Sequence, residues 1–239
     1  MRPQSATMSL LLLGAMLACC WAQEVPSSLH AQEVIARVEP SLVRAMRTRG
    51  LHYGAPIFLR IFKASKELEV WVQAREQFRL FRMYTICAAS GELGPKEQEG
   101  DLQSPEGFYA VTPEQMNPDS QYHLAFDLGY PNMYDQAYGR TGWALMVHGN
   151  CVSAGCYAMT DTDIEEIYTL ADAAFRNGQP AFAVHIFPFR MSQKRLRHAR
   201  YSRWLPFWLN LKEGYDHFAK TRRPPLVMVH EQRYVFTQP

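Results

Sequence analysis

The chain has 239 residues, of which 47% are hydrophobic, 13% aromatic and 20% charged, and 25 basic against 23 acidic side chains give a formal charge of +2. This balance excludes a disordered chain, a collagen-like repeat and a polytopic membrane protein, and near-neutrality gives no reason to expect a nucleic-acid partner. The five cysteines are too few for a disulfide-stapled mini-domain, and an odd number leaves at least one without an intramolecular partner.

Arg2 precedes the apolar run Met8 to Ala18, and Cys20-Trp21-Ala22 then leads into polar sequence at Gln23. A bilayer-spanning helix needs roughly 20 apolar residues. A basic start, a shorter apolar middle and a small residue before the polar region instead predict a secretory signal peptide over 1–22. Its cleavage removes Cys19 and Cys20. Two alternatives are a buried N-terminal helix, which nothing caps, and a lipoprotein anchored through Cys19, whose signal Met16 and Leu17 fit poorly.

From Gln23 to Gly50 the apolar period is helical, with Val34, Ile35 and Val38 on one side, an interruption at Pro40, and Leu42, Val43 and Met46 resuming. The period then changes to two. Ile57–Phe62, Leu68–Val72 and Phe78–Tyr84 read as three strands joined by short polar links, an antiparallel meander. Gly91, Gly94, Pro95, Gly100 and Ser104-Pro105-Glu106-Gly107 break the pattern before the short strand Phe108–Val111. Another apolar run, Trp143 to Val147, leads into His148-Gly149. Thr160 three residues before Asp163 caps a helix faced by Ile164, Ile167, Leu170 and Ala174 and closed by Asn177-Gly178. A strand Phe182–Phe187, a helix Trp204–Phe218 and a hairpin of Leu226–Val229 with Tyr234–Phe236 complete the chain. Strands dominate and helices are inserted, which predicts a β-rich α+β fold without regular strand–helix alternation.

Chemistry concentrates in the run His148 to Asp161, which puts a His at the end of an apolar strand and Cys156 in a Ser-x-Gly-Cys turn before a helix. A free thiol with a pKa of about 8.5 is only a few per cent thiolate at neutral pH, so a nucleophilic Cys needs a base or a cationic field. His148 can supply the base. Gly155 permits close backbone approach, and amides near Cys156 can donate to an oxyanion. Against this stand a Cys151–Cys156 disulfide, two buried apolar thiols, and a zinc site with His148, which lacks a second ligand pair at ordinary spacing. Cys87 with Cys151 is a further candidate disulfide, and it leaves Cys156 free.

His148-Gly149 and Ser153-x-Gly155-Cys156, together with Ser90-Gly91-x-Leu93-Gly94-Pro95-Lys96, Ser104 to Tyr109 and Pro188-Phe189-Arg190-Met191, resemble the YkuD-type L,D-transpeptidase family and within it the YafK-type subgroup. The resemblance covers Ile57 to the C-terminal region. It implies a mostly β catalytic domain over 53–190, preceded by a helical segment (23–52) and followed by a helical and hairpin extension (191–239) packed on it. It further implies a periplasmic enzyme, without cofactor or metal, acting on peptidoglycan stem peptides that contain diaminopimelate. Cys156 would attack the diaminopimelate carbonyl and form a thioester, His148 would move the proton, Ser153 would hold the turn, and Gly155 would lend an oxyanion amide.

Several positions depart from the general family. His and Cys stand only eight residues apart, Ala154 replaces a His, and Ala158 replaces the Arg or Asn two residues beyond the Cys. The short spacing and the Tyr157-Ala158-Met159 ending match the subgroup, which is associated with hydrolytic release of the Braun-type outer-membrane lipoprotein. A cross-linking transpeptidase and a non-catalytic peptidoglycan-binding module are the alternatives. Arg190 is a candidate for a substrate carboxylate or an ordinary ion pair. His185 reads as a satisfied structural histidine, Trp204, Phe207, Trp208 and Leu211 as core, and Lys194, Arg195, Arg197, Arg200 and Arg203 as a solvated face able to meet stem-peptide carboxylates.

Overall fold

The computed structural model describes residues 24–237. The leader over 1–22 and the alternative anchor at Cys19 lie outside the described residues. No helix among those described is long and apolar enough to cross a membrane.

Helix α1 (Leu29–Thr48) begins where the Ser28 side chain accepts from the Ala31 amide at 3.1 Å. Val34, Val38, Leu42 and Met46 recur at helical spacing and are buried. The helix continues through Pro40, contrary to the interruption expected from the sequence. Pro40 and Ala36, the residue whose carbonyl loses its partner, both face solvent, so water can satisfy that carbonyl while the core-facing row stays unbroken.

The meander forms as expected: β1 (Ile57–Phe62), β2 (Glu67–Ala74) and β3 (Gln77–Thr85) pair antiparallel in sequence. The short strand β4 (Ala88–Ala89) follows, then β5 (Gly107–Val111), β6 (Met116–Asn117), β7 (Ala125–Asp127), the one-turn helix α2 (Met133–Ala137), β8 (Met146–His148) and β9 (Tyr157–Ala158). Helix α3 (Asp161–Arg176), capped by Thr160, precedes β10 (Phe182–Phe187), helices α4 (Gln193–His198) and α5 (Leu205–Thr221), and the hairpin β11 (Leu226–His230) with β12 (Arg233–Thr237).

These strands make two five-stranded sheets, ordered β3-β2-β1-β10-β5 and β4-β9-β8-β7-β6. All six residues of β1 are buried because both faces of the first sheet are covered. Alternation sorts them: Ile57, Leu59 and Ile61 join the main core with α1, α3 and the second sheet, while Phe58 and Phe62 point to the C-terminal helices. Phe62, Phe108 and Phe187 pack there with Phe207, Trp208 and Leu211 of α5, as the helical spacing of the latter three suggested. Burying each such aromatic contributes roughly 1.5–3 kcal/mol, and at the C-terminal end of α5 the Phe78 amide of β3 bonds the Arg222 carbonyl at 2.8 Å.

Candidate active site

The second sheet sets the chemistry. Strands β8 and β9 are parallel neighbours with Val147 opposite Tyr157 and His148 opposite Ala158. Cys156, one residue before β9, therefore stands beside Met146, and the Met146 amide donates to its sulfur at 3.4 Å. The thiol is oriented toward the Ala144 carbonyl at 3.7 Å. His148 lies two residues farther along β8 and so on the same face of the strand as Met146.

The imidazole presents one basic nitrogen. Its Nδ1 lies 2.6 Å from the Gly149 carbonyl, which only accepts, so Nδ1 carries the proton and Nε2 holds the lone pair. The Tyr122 ring packs on it with centroids 4.7 Å apart. Burial pushes the His148 pKa down, against a smaller upward pull from the Gly149 carbonyl. Burial also pushes the Cys156 thiol up, opposed by the Met146 amide. Both effects favour a neutral thiol and a neutral imidazole at pH 7. A thiol in that state would need a base to take its proton before it could act as a nucleophile.

A clamp of hydroxyls holds the turn. Ser153 Oγ donates to the Cys156 carbonyl at 2.8 Å and Ser104 Oγ donates to the same oxygen at 3.2 Å. Ser90 joins them, its amide donating to Ser104 Oγ at 3.2 Å and its hydroxyl lying 3.3 Å from that of Ser153. Gly155 has φ of +123°, and a Cβ there would meet Leu145 Cδ1 at 3.1 Å, so this turn requires glycine. Its amide points to Ser153 Oγ at 3.4 Å, a long bond that an oxyanion can replace. Gly149 is needed for close approach, since a Cβ would lie 2.6 Å from the Asp161 carboxylate that accepts from the Asn150 amide.

The clamp rests on a buried ion pair. Lys63 Nζ donates to the carbonyls of Gly94 at 2.8 Å and Ser104 at 2.7 Å and lies 3.5 Å from Glu106. Glu106 also accepts from the Gly94 amide at 2.7 Å and from the Trp208 indole at 2.8 Å. Burial pushes the Lys63 pKa down and that of Glu106 up, yet every partner of Glu106 is a donor, which suits the ionised carboxylate. Helix α5 is thereby wired to the segment that grips Cys156. Ser90, Ser104, Lys63 and Glu106 were not singled out as site residues from sequence. The Ser104-Pro105-Glu106-Gly107 stretch was visible as a break between strands and as part of the family resemblance, with no role assigned to its residues.

Cys87 and Cys151 are joined in a disulfide with Cα atoms 5.2 Å apart, and Cys156 is free. This excludes a Cys151–Cys156 bridge and a zinc site drawing on both. Among the described residues no group of three or more His, Cys, Asp or Glu is arranged to hold a metal ion. Arg190 is taken up elsewhere: it bonds Glu67 and Glu69 at 2.7 and 2.8 Å and its guanidinium covers the Phe62 ring, the ordinary ion pair of the two alternatives. His185 is buried between the rings of Phe58 and Phe108, but its Nδ1 has no protein partner, so it is structural without being satisfied. Its pKa is pushed well down, by burial first and then by Arg60.

Replacing Ser104 with Ala leaves the Ser90 amide without its acceptor and removes one of two donors from the Cys156 carbonyl. The expected loss is about 1–3 kcal/mol of stability in urea titrations, and an unchanged midpoint would show that the clamp carries no strain of the turn.

A free cysteine in a glycine turn beside a strand-end histidine, held on a small mixed sheet, is an arrangement able to support cysteine chemistry. The family model described as YkuD, L,D-transpeptidase catalytic domain, matches residues 58–186, and the chain belongs to this family. Two relatives from Escherichia coli, strains K12 and O157:H7, each named "Putative L,D-transpeptidase YafK", are 47% identical over 186 residues, covering 78% of this chain and 76% of theirs. Among solved structures, the helical cell shape determining protein Pgp2 from Campylobacter jejuni aligns with a TM-score of 0.46 at 18% identity, over 74% of this chain and 73% of that one. Bd1075 from Bdellovibrio bacteriovorus aligns with a TM-score of 0.41 at 18% identity, over 74% and 78% of the two chains.

Proposed function

We propose that the protein is a periplasmic cysteine hydrolase that cuts diaminopimelate-centred amide bonds of peptidoglycan, releasing a Braun-type lipoprotein from the wall. Residues 53–190 carry the reaction and 191–239 brace it. Cys156 Sγ attacks the diaminopimelate carbonyl as its proton passes to His148 Nε2. The tetrahedral oxyanion takes hydrogen bonds from the backbone amides of Gly155 and Cys156. Collapse breaks the C–N bond, and the imidazolium returns its proton to the departing lysine amine. Water, deprotonated by the same imidazole, then opens the thioester and restores the thiol.

The observation that most supports this reading is the tautomer of His148, fixed by the Gly149 carbonyl so that its basic nitrogen is the one left for the thiol. The test is incubation of the protein with lipoprotein-linked sacculi, with a Cys156→Ala control. The expected result is lipoprotein released by the native protein alone. New diaminopimelate cross-links in place of release would identify a transpeptidase, and no change in either preparation would leave only a binding role.

A further inference from the structure

Charge in this chain is distributed unevenly. The forty residues 173–212 contain eight basic side chains and no acidic one, although the whole chain carries only +2. Three of the eight are neutralised nearby: Arg176 by Asp172, Arg190 by Glu67 and Glu69, and Lys212 by Asp216. The other five lie between Lys194 and Arg203, on α4 and the turn after it. Of these only Arg203 has a carboxylate partner, Glu97, at 2.6 Å. Lys194, Arg195, Arg197 and Arg200 are exposed and make no ion pair among the described residues. In their midst Tyr201 is 86% exposed, with the Arg200 guanidinium over its ring.

This patch adjoins the catalytic turn. Arg203 and Trp204 line a cavity of about 190 Å³ whose opposite wall includes Pro95 and Gln103. The Gln103 carbonyl lies 3.7 Å from the place a Cβ would take on Gly155, and its neighbour Ser104 grips the Cys156 carbonyl. Glu92, Glu97 and Asp101 also line that cavity, so it is acidic, and the four unpaired cations stand outside it, on the chain just before Arg203.

We infer that Lys194, Arg195, Arg197 and Arg200 form a docking surface for the free carboxylates of peptidoglycan stem peptides. The inference rests on the proposed wall substrate. Guanidinium forks match carboxylates in two-point geometry, and several weak exposed contacts on one polymer add where one alone contributes little. Because the cations are exposed, their attraction is screened over about 8 Å at physiological salt, so binding must weaken as salt rises. Leu196, buried beneath them, anchors α4 independently of the charges.

The experiment is co-sedimentation with purified sacculi, performed in the Cys156→Ala background so that binding is read without chemistry. The probes are native sacculi, sacculi whose carboxyls have been amidated, and phosphatidylglycerol vesicles. Retention on native sacculi should fall on the order of tenfold or more when all four cations are changed (K194Q/R195Q/R197Q/R200Q), equally on amidation, and steeply with salt. Retention that is the same in the fourfold variant, or indifferent to amidation, overturns the proposal. Patch-dependent binding to the vesicles stronger than to sacculi overturns it in favour of a membrane surface. Binding as expected without any release of lipoprotein by the native protein sinks the hydrolase reading and leaves this one standing.

Discussion

His148→Gln is expected to lower kcat/KM for wall-amide cleavage by ~10²–10⁴-fold, the usual contribution of a positioned general base, and Cys156→Ala to abolish turnover. The double variant should be no slower than Cys156→Ala alone, because the two groups act in one step. The pH profile carries the sharper information. On the proposed mechanism His148 acts when neutral, and burial holds its pKa below the ordinary 6.5. The rate should therefore stay on its plateau as pH falls to 6.5 and drop only below it. Cys156 titrates above its ordinary 9.0, so iodoacetamide alkylation should be slow at neutral pH and rise beyond pH 9. In His148→Gln the acid limb should vanish, while the alkaline rise in alkylation persists. A plateau that instead ends well above pH 6.5, or rapid alkylation at pH 6, would mean a thiolate–imidazolium pair and a different resting state.

Local chemistry made part of this site legible. A histidine closing an apolar strand and a cysteine in a glycine turn are separated by eight residues, so one short stretch of sequence contains both. The meander, the Thr160 cap and the C-terminal hairpin are equally local, decided by periods of two and 3.6 and by turn residues. What escaped is long-range. Strand β1 lies parallel to β10 with Leu59 opposite Val184, a pairing that no local period encodes. The hydroxyl of Ser104 reaches a carbonyl 52 residues away, and Lys63 reaches a carboxylate 43 residues away. Helices α2 and α4 are too short to show a period. Pro40 misled because whether proline breaks a helix depends on which carbonyl it orphans and whether that carbonyl sees water. That fact belongs to the packed helix and its surroundings.

Opening the disulfide should destabilise the protein more than any single hydroxyl can. Cys87 and Cys151 are 64 residues apart, and a closed loop of that size restricts the unfolded chain by about 4 kcal/mol on the chain-entropy account. Cys87→Ser/Cys151→Ser is therefore expected to lower Tm by on the order of 10 °C. The bridge also has a local task. It joins the residue before β4 to a loop in which Asn150 and Cys151 both hold positive φ, 65° and 49°, a conformation costly for a non-glycine side chain. On either side of that loop, the Cys87 amide bonds the Ala158 carbonyl and the Cys151 amide bonds the Met159 carbonyl, at 2.9 and 3.2 Å. The Met159 amide in turn bonds the His148 carbonyl at 2.7 Å. The disulfide thus closes a ring of backbone contacts around the thiol and the imidazole. Activity should fall in the double variant even at 25 °C, where the fold persists, and dithiothreitol should reproduce the loss in the native protein with Cys156 intact. If reduction lowers Tm but leaves kcat at 25 °C unchanged, the bridge stabilises the chain and has no part in holding the catalytic pair.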